Sequence, residues 1–425
     1  MRWLIVCSMH HWSQGGIGAY VAHFVKYACA AGWRVDLVTR PSDVLPRGAV
    51  VHPVETPDRG SDFEARVARL REIERIRPYR YGIWAKAAAE KLLELELEAD
   101  AVEFADCFGE AYVALRSRRV RERWISTPMM IYAHSAMFVE EEINQADMMR
   151  FGRGVYHEWE RSALREADGV AAASRLLLER LPPARASAVL PYPIEPLPIA
   201  PPVDSERIVV AGTIQPRKGI DTWVRSLNSV FSRRPRAEAV LIGPDTPTSP
   251  DGTSMIEHVF ELLAPKHGDR LKWIGPASYD ELIEEIDRSA VVVVPSVFDT
   301  FSLMAADALG RGRPVVVSSR VGIREHVEGL DTFPVHDAEA LAEAQLRILA
   351  DRAAARRRAL NAREQLAEAC APLRHLERRA EFARSLTAHP SEVGDEAAPD
   401  AIDQMAAFID SVEERERAVG AGGGA

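Results

Sequence analysis

Pro295-Ser296-Val297-Phe298-Asp299-Thr300-Phe301-Ser302-Leu303-Met304-Ala305-Ala306-Asp307-Ala308-Leu309-Gly310-Arg311-Gly312-Arg313-Pro314 lies between two unbroken apolar runs, 291–294 and 315–317. Continuous valine runs of this length are what strands covered on both faces require, and such strands belong to parallel sheets. The first strand ends at Pro295, and a helix is expected from about Thr300, with Asp299 or Thr300 as its N-cap. Ligands of open α/β sheets bind at the carboxyl ends of the strands. The amides of Thr300, Phe301 and Ser302 are then expected to face outward at a helix N-terminus, a setting that suits a diphosphate. Asp299 stands at the mouth of this helix, and Asp307 follows about two turns on along the same face. Two carboxylates there suit the hydroxyls of a sugar and a ribose; the bland alternative is a pair of solvated surface acids.

Working outward, the second half of the chain alternates strand and helix patterns, with strands expected at 207–212, 237–243, 270–274, 290–295 and 313–318. The first half opens on an apolar strand at 3–8, a Gly-rich loop at 14–18, a helical pattern through Tyr27 and Ala31, and a second strand at 34–39. That is a βαβ unit, and such units build parallel sheets. Further strands are expected at 101–104, 129–134 and 169–172, and 61–98 reads as helix-rich and charged. The prolines at 191, 193, 196, 198, 201 and 202 can continue neither helix nor central strand and read as an interdomain linker. The expected division is a first domain over 1–195, a second over 196–372, a helix over 373–388 returning to the first domain, and an acidic, partly disordered tail over 389–425. Within that tail, 401–416 has the pattern of one amphipathic helix.

The opening stretch resembles the E-x7-E region of retaining GT-B glycosyltransferases of the GT4 type, whose usual form is P-S-x-x-E-x-F-G-x-x-x-x-E-A-x-A-x-G-x-P-V. The Pro-Ser, the Phe, the spacing, the Ala after the second acid and Gly-x-Pro-Val are present. Asp299 and Asp307 replace the two glutamates, and Ser302 replaces the glycine. The resemblance implies two Rossmann-like, doubly wound α/β domains facing each other across a cleft. It also implies that Asp299 binds the donor-sugar hydroxyls and Asp307 the ribose. Asp is one methylene shorter than Glu but keeps its charge and acceptor capacity.

Other segments resemble the same family. Gly212-Thr213-Ile214-Gln215-Pro216-Arg217-Lys218-Gly219 is similar to its G-x-x-x-x-[RK]-K-G element, which makes Arg217 and Lys218 the cations for the diphosphate. Lys272-Trp273-Ile274-Gly275-Pro276 is similar to a later strand end whose backbone receives the nucleobase. Gly15-Gly16 resembles the loop whose amides approach the donor phosphate and the acceptor; glycine permits that approach because it lacks Cβ. Glu103–Tyr112 resembles the acceptor-side loop, which brings in Asp106, Gly109 and Glu110, and His134 matches a histidine that faces the donor sugar. Ala173-Ser174-Arg175 and Pro191-Tyr192-Pro193-Ile194, a variant of P-N-P-I, read as shaping the hinge. A dinucleotide fingerprint is excluded because its third glycine falls on Val21.

Composition sets limits around this reading. The net charge of −10 argues against bulk attraction to nucleic acid. Cys7, Cys29, Cys107 and Cys370 form no CxxC pair and fit no zinc spacing, so they read as buried thiols. The first residues are too short an apolar run for a signal segment and no run approaches a membrane span, so a cytoplasmic protein is expected. Arginines at 66, 69, 71, 75, 77 and 80 and the basic stretch 116–123 leave peripheral membrane contact open, although interleaved glutamates favour a solvated face. A monomer or homodimer is expected.

The resemblance implies a reaction with no metal and no cofactor beyond the nucleotide diphosphate-sugar. The leaving charge would be met by Arg217, Lys218 and the helix start at 300–302, with His134 and Asp299 beside the sugar. A UDP-sugar is the favoured donor and GDP-mannose the next; the acceptor is not read. Retention of configuration has the acceptor attack from the leaving-group face, with a phosphate oxygen as base and no protein nucleophile. Glu140, Glu141 and Glu142 read as a solvated helix start. The rival readings are a nucleotide-sugar 2-epimerase, which needs no Gly15-Gly16 acceptor loop, and a non-catalytic GT-B binding protein, which the two Glu-to-Asp departures would favour.

Overall fold

The computed structural model describes residues 1–9, 15–44, 46–56, 73–144, 151–389 and 400–422. The charged stretch around Arg66, Arg69 and Arg71, and residues 390–399 of the expected tail, lie outside them.

The first half contains β1 (Arg2–Val6), α1 (Gly15–Ala30), β2 (Arg34–Thr39), β3 (Val50–Pro53), α2 (Ile73–Glu94), β4 (Ala101–Ala105), α3 (Tyr112–Val120), β5 (Met129–Ala133), α4 (Met137–Ile143), α5 (Phe151–Glu166), β6 (Gly169–Ala172), α6 (Arg175–Leu178) and β7 (Ser187–Val189). The strands form a seven-stranded sheet in the order β3-β2-β1-β4-β5-β6-β7, every pair parallel.

The second half contains β8 (Arg207–Ala211), α7 (Ile220–Arg233), β9 (Glu238–Ile242), α8 (Met255–Glu261), β10 (Leu271–Trp273), α9 (Tyr279–Arg288), β11 (Val291–Val294), α10 (Leu303–Gly310), β12 (Val315–Ser318), β13 (Asp331–Phe333), α11 (Ala338–Ala350), α12 (Arg352–Ala369), α13 (Pro372–Ser385) and α14 (Ala401–Gly422). Its sheet is six-stranded and parallel, in the order β10-β9-β8-β11-β12-β13. These are two doubly wound α/β domains.

The central strands β4, β5, β11 and β12 are buried at every residue, as their apolar runs require. The short strands β3, β7 and β13, which the pattern did not announce, are mostly part-exposed or exposed. A half-wet strand of three or four residues carries too few buried positions to leave a periodic signal.

The chain crosses between the sheets through 190–206, which has no regular structure and yet is not a loose tether. Leu190, Tyr192, Ile194 and Ala200 are buried along it. Its Ile194 amide donates to Cys370 O at 3.0 Å and its Ala200 amide to Arg311 O at 3.0 Å.

Helix α13 lies against α1. Its Arg379 donates to Glu103 Oε2 of β4 at 2.9 Å, and Trp3 Nε1 donates to the same oxygen at 2.9 Å. Arg379 also lies over the Tyr132 and Phe24 rings, at 4.7 and 4.8 Å. A fully buried guanidinium is tolerable only with such a charge and ring partnership.

Residues 401–422 form one helix, longer than the amphipathic 401–416, and it packs on α2 and α3. Ala401, Ile402 and Met405 enter the first domain's core, with Phe408 and Ile409 packed against it. Asp400 accepts from Ser117 Oγ at 2.6 Å and pairs with Arg121.

Candidate active site at the interdomain cleft

In both sheets the strand order reverses once, between β1 and β4 in the first and between β8 and β11 in the second. Loops that leave adjacent strands at such a point run to opposite sides and open a crevice. A cavity of about 610 Å³ occupies this place. Its walls come from the segments after β1 (Met9, Gly15, Gly16), β4 (Cys107, Phe108), β5 (His134, Ser135), β8 (Gly212, Arg217, Lys218) and β11 (Pro295, Ser296 and 299–304).

Arg217 and Lys218 sit in a 3-10 turn over Pro216–Lys218, which Gly219 ends in the left-handed conformation at φ 63°. Val297 N donates to Arg217 O at 2.8 Å, which ties this turn to the segment after β11. Lys218 Nζ donates to Asp299 Oδ2 at 2.8 Å. Burial alone would raise the Asp299 carboxyl, but Lys218 and Arg217 hold it below its ordinary value.

Helix α10 begins later than its sequence suggests. Its N-cap is Ser302, whose side chain accepts from Ala305 N, rather than Asp299 or Thr300. The Asp299 amide instead donates to Arg320 O, and its carbonyl accepts from Gly322 N, so Asp299 bridges to the segment after β12. Thr300, Phe301 and Ser302 form the approach to the helix rather than its first turn, and all three line the cavity. Ser302 lies at φ 80°, a left-handed value that favours glycine.

The acceptor-side acids lie one layer behind the wall. Asp106 accepts from the His134 amide at 3.0 Å and from the Ser135 amide at 3.1 Å. Glu110 accepts from the Ser8 amide at 3.1 Å. Burial pushes both carboxyls up to about 7. Gly109 adopts φ 69°, and a Cβ there would stand 2.6 Å from Trp159 Cβ. Asp106, Gly109 and Glu110 therefore shape the loop, while Cys107 and Phe108 between them meet the cavity. His134 lines the cavity, and burial together with the Arg379 charge pushes its imidazole down to about 3.

Trp273, Ile274, Gly275 and Asp307 stand outside this cavity. Trp273 and Ile274 are 40% and 46% exposed at the sheet's edge strand. The Ile274 amide donates to Leu241 O, and Gly275 O accepts from the Gly243 amide, so these two backbone groups already have partners. Asp307 accepts from Tyr279 OH at 3.1 Å, and burial pushes its carboxyl up to about 7.

Several groups at the site left no signal in the sequence. Of the carboxylate run 140–142, expected to be a solvated helix start, Glu142 is exposed, whereas Glu140 and Glu141 are not. Glu140 lines the cavity and pairs with Arg217 at 3.0 Å. Glu141 is buried, with Tyr156 OH at 2.7 Å and His157 Nε2 at 3.0 Å, and Glu142 accepts from Arg180 at 2.9 Å. Asn144 bridges the domains, accepting from the Arg217 amide at 2.8 Å and donating to Gln215 Oε1 at 3.1 Å. Buried Glu160 accepts from the Phe108, Met137 and Phe138 amides, which fixes the Phe108 loop to the start of α4. Among the described residues, no group of three or more His, Cys, Asp or Glu stands where it would hold a metal ion. No helix among them is long and apolar enough to cross a membrane.

Two family models match this chain: the glycosyl transferase 4-like domain over 15–193 and glycosyl transferases group 1 over 205–351. Together they take in more than half of the chain, one on each sheet. The chain belongs to the GT4-type GT-B glycosyltransferases.

Within this family it is 29% identical over 178 residues to a D-inositol 3-phosphate glycosyltransferase of Nocardioides sp., covering 39% of this chain and 38% of the relative. It is 29% identical over 152 residues to an uncharacterised glycosyltransferase of Methanocaldococcus jannaschii, covering 35% and 37%. The matches thus span less than two-fifths of the length of these curated relatives. Among solved structures, sucrose-phosphate synthase from Thermosynechococcus elongatus shares the GT-B fold with a TM-score of 0.66 at 23% identity, over 91% of this chain and all of the other. HepE of Anabaena, solved in complex with UDP and glucose, shares it with a TM-score of 0.62 at 16% identity, over 91% of this chain and all of that one.

Proposed function

We propose that this GT-B chain transfers a hexosyl group from a nucleotide diphosphate-sugar to a hydroxyl of an acceptor. Retention of configuration and independence of a metal cofactor are part of the proposal. A UDP-sugar is the first choice of donor and GDP-mannose the second. The observation that carries this reading is the convergence of Arg217, Lys218, Asp299 and the approach to α10 on one cavity, with Gly15, Gly16 and His134 also on its walls. The complex of HepE with UDP and glucose lends support to the choice of donor.

The roles follow from chemistry. Arg217 and Lys218 offset the charge of the departing diphosphate as preorganised cations on the cavity wall. A Cβ added at Gly15 or Gly16 would meet nothing within 4 Å, so a ligand is free to approach their backbone. Asp299, ionised beside Lys218, accepts from sugar hydroxyls. The acceptor oxygen bonds to the anomeric carbon as the bond from that carbon to the diphosphate oxygen breaks, and the acceptor proton passes to a phosphate oxygen. The cavity's carboxylates Asp299 and Glu140 are each held by a cation, which supports a route without a protein nucleophile.

The test is transfer from radiolabelled UDP-glucose and GDP-mannose, with and without EDTA. The acceptor panel includes inositol phosphate and hexose phosphates, chosen from the names of the relatives above. EDTA-insensitive product with the donor's anomeric configuration is expected. The absence of both transfer and donor hydrolysis with every nucleotide sugar tried would sink the reading.

A further inference from the structure

The crossing segment 190–206 sends one side chain into the cleft. Tyr192 is 5% exposed and lines the cavity. Its ring packs between Tyr20 of α1 and Phe301 of the approach to α10, with centroids at 5.3 and 5.2 Å. Its hydroxyl lies 3.0 Å from His134 Nδ1. One side chain therefore meets the first domain's histidine through its hydroxyl and the second domain's Phe301 through its ring.

Proton accounting narrows what this contact does. Burial and the Arg379 charge keep the His134 imidazole neutral at physiological pH, so the ring carries one N–H. Burial keeps the Tyr192 phenol protonated. Nδ1 faces the phenol, and among the described residues Nε2 meets no protein partner, which leaves Nε2 for a ligand. Two arrangements satisfy the geometry. Either the phenol donates to Nδ1 and Nε2 carries the proton, or Nδ1–H donates to the phenol and Nε2 offers a lone pair. The bare ring nitrogen of a neutral imidazole is a much stronger acceptor than a phenol oxygen, and a phenol is a stronger donor than a neutral imidazole N–H. The first arrangement is therefore the favoured one, with the phenol donating to Nδ1 at 3.0 Å and the proton on Nε2.

We propose that Tyr192 is a positioning residue. It donates to His134 Nδ1, fixes His134 as the Nε2–H tautomer, and so presents an N–H to an oxygen of the donor sugar. This rests on the sugar-transfer reading for the ligand, but not for the tautomer. The sequence concealed it because Tyr192 stands 58 residues from His134 in a proline-rich stretch that reads as hinge alone.

Tyr192→Phe keeps the ring and removes only the hydroxyl. Histidine-selective 15N spectra of the free protein, with His134 assigned by its disappearance in His134→Gln, report which ring nitrogen holds the proton. The wild type is expected to show protonated Nε2 and bare Nδ1, and Tyr192→Phe a mixture of the two tautomers. Turnover in Tyr192→Phe is expected to fall about 10- to 100-fold with a much smaller change in donor KM, the usual scale for losing a residue that orients another. A wild-type spectrum with the proton on Nδ1 would overturn the proposal, whatever the variant does. An unchanged tautomer in a folded Tyr192→Phe would overturn it as well. Because the spectrum needs no substrate, absence of turnover in the wild type would count against sugar transfer, and the spectrum would still decide the Tyr192 contact.

Discussion

Lys218 Nζ and Asp299 Oδ2 meet at 2.8 Å, which joins the segments that follow β8 and β11 at the point where the second sheet reverses its order. The two residues expected to face diphosphate and sugar are thus held as one ion pair. Lys218→Ala removes the phosphate cation and leaves Asp299 without its nearest counter-charge. Turnover is expected to fall about 10²- to 10³-fold, the scale for losing one preorganised electrostatic contact. Circular dichroism is expected to stay native, since Lys218 contributes no core packing. Near-normal transfer in a folded Lys218→Ala would remove the phosphate role.

Ser302 holds a left-handed backbone at φ 80° while capping α10 through Ala305 N. The two contributions separate by substitution. Ser302→Gly relieves a strain of about 1–2 kcal/mol and loses only a few tenths from the cap, so a raised melting temperature is expected. Ser302→Ala keeps the strain and loses the cap, at about 1 kcal/mol. Thermal unfolding of the two variants is expected to bracket the wild type; a destabilised Ser302→Gly would contradict this.

Gly219 and Gly16 belong to the same cleft but answer differently to a methyl group. A Cβ at Gly219 would stand 2.1 Å from Pro295 O, at a backbone φ of 63°. Gly219→Ala is expected to destabilise by about 2 kcal/mol or more and to part the two strand ends. A Cβ at Gly16 meets nothing within 4 Å, so Gly16→Ala is expected to keep the wild-type melting temperature and to weaken donor binding. Calorimetric unfolding beside donor titration distinguishes the two behaviours.

Glu110 has a direction in pH. Burial pushes its carboxyl from 4.5 up to about 7, against the opposing pull of Ser8. A carboxyl raised in the folded state favours folding fully below its unfolded value, and that contribution is lost as pH rises towards the folded one. The melting temperature of Glu110→Gln, measured against wild type, is therefore expected to improve as pH rises from about 4.5 to 7. A difference that stays constant across this window would show that the carboxyl is not held protonated.

What the sequence made legible follows from range. The valine runs of β11 and β12, the Gly-rich start of α1 and the cations after β8 are local patterns, and a local pattern is enough to mark a strand end in a parallel sheet. Nine of the residues expected at the site line one cavity: Gly15, Gly16, His134, Arg217, Lys218, Asp299, Thr300, Phe301 and Ser302. Pairings were not legible, because their partners are distant in the chain. Arg217 finds Glu140, Tyr192 finds His134, and Arg379 finds Glu103 across 276 residues. The start of α10 was misplaced for a physical reason. Asp299 and Thr300 have good N-cap chemistry, but the Asp299 backbone is committed to Arg320 and Gly322. The helix therefore begins only at Leu303.

Nucleotide binding tests the central claim most directly. The melting temperature of the wild type is to be measured with UDP, GDP, ADP and dTDP, since a ligand bound only by the folded state raises it according to concentration over Kd. A rise with UDP, largest among the four and lost in Lys218→Ala, is the expected result. No rise with any nucleoside diphosphate, or a rise that Lys218→Ala leaves intact, would contradict a diphosphate site between Arg217, Lys218 and the approach to α10.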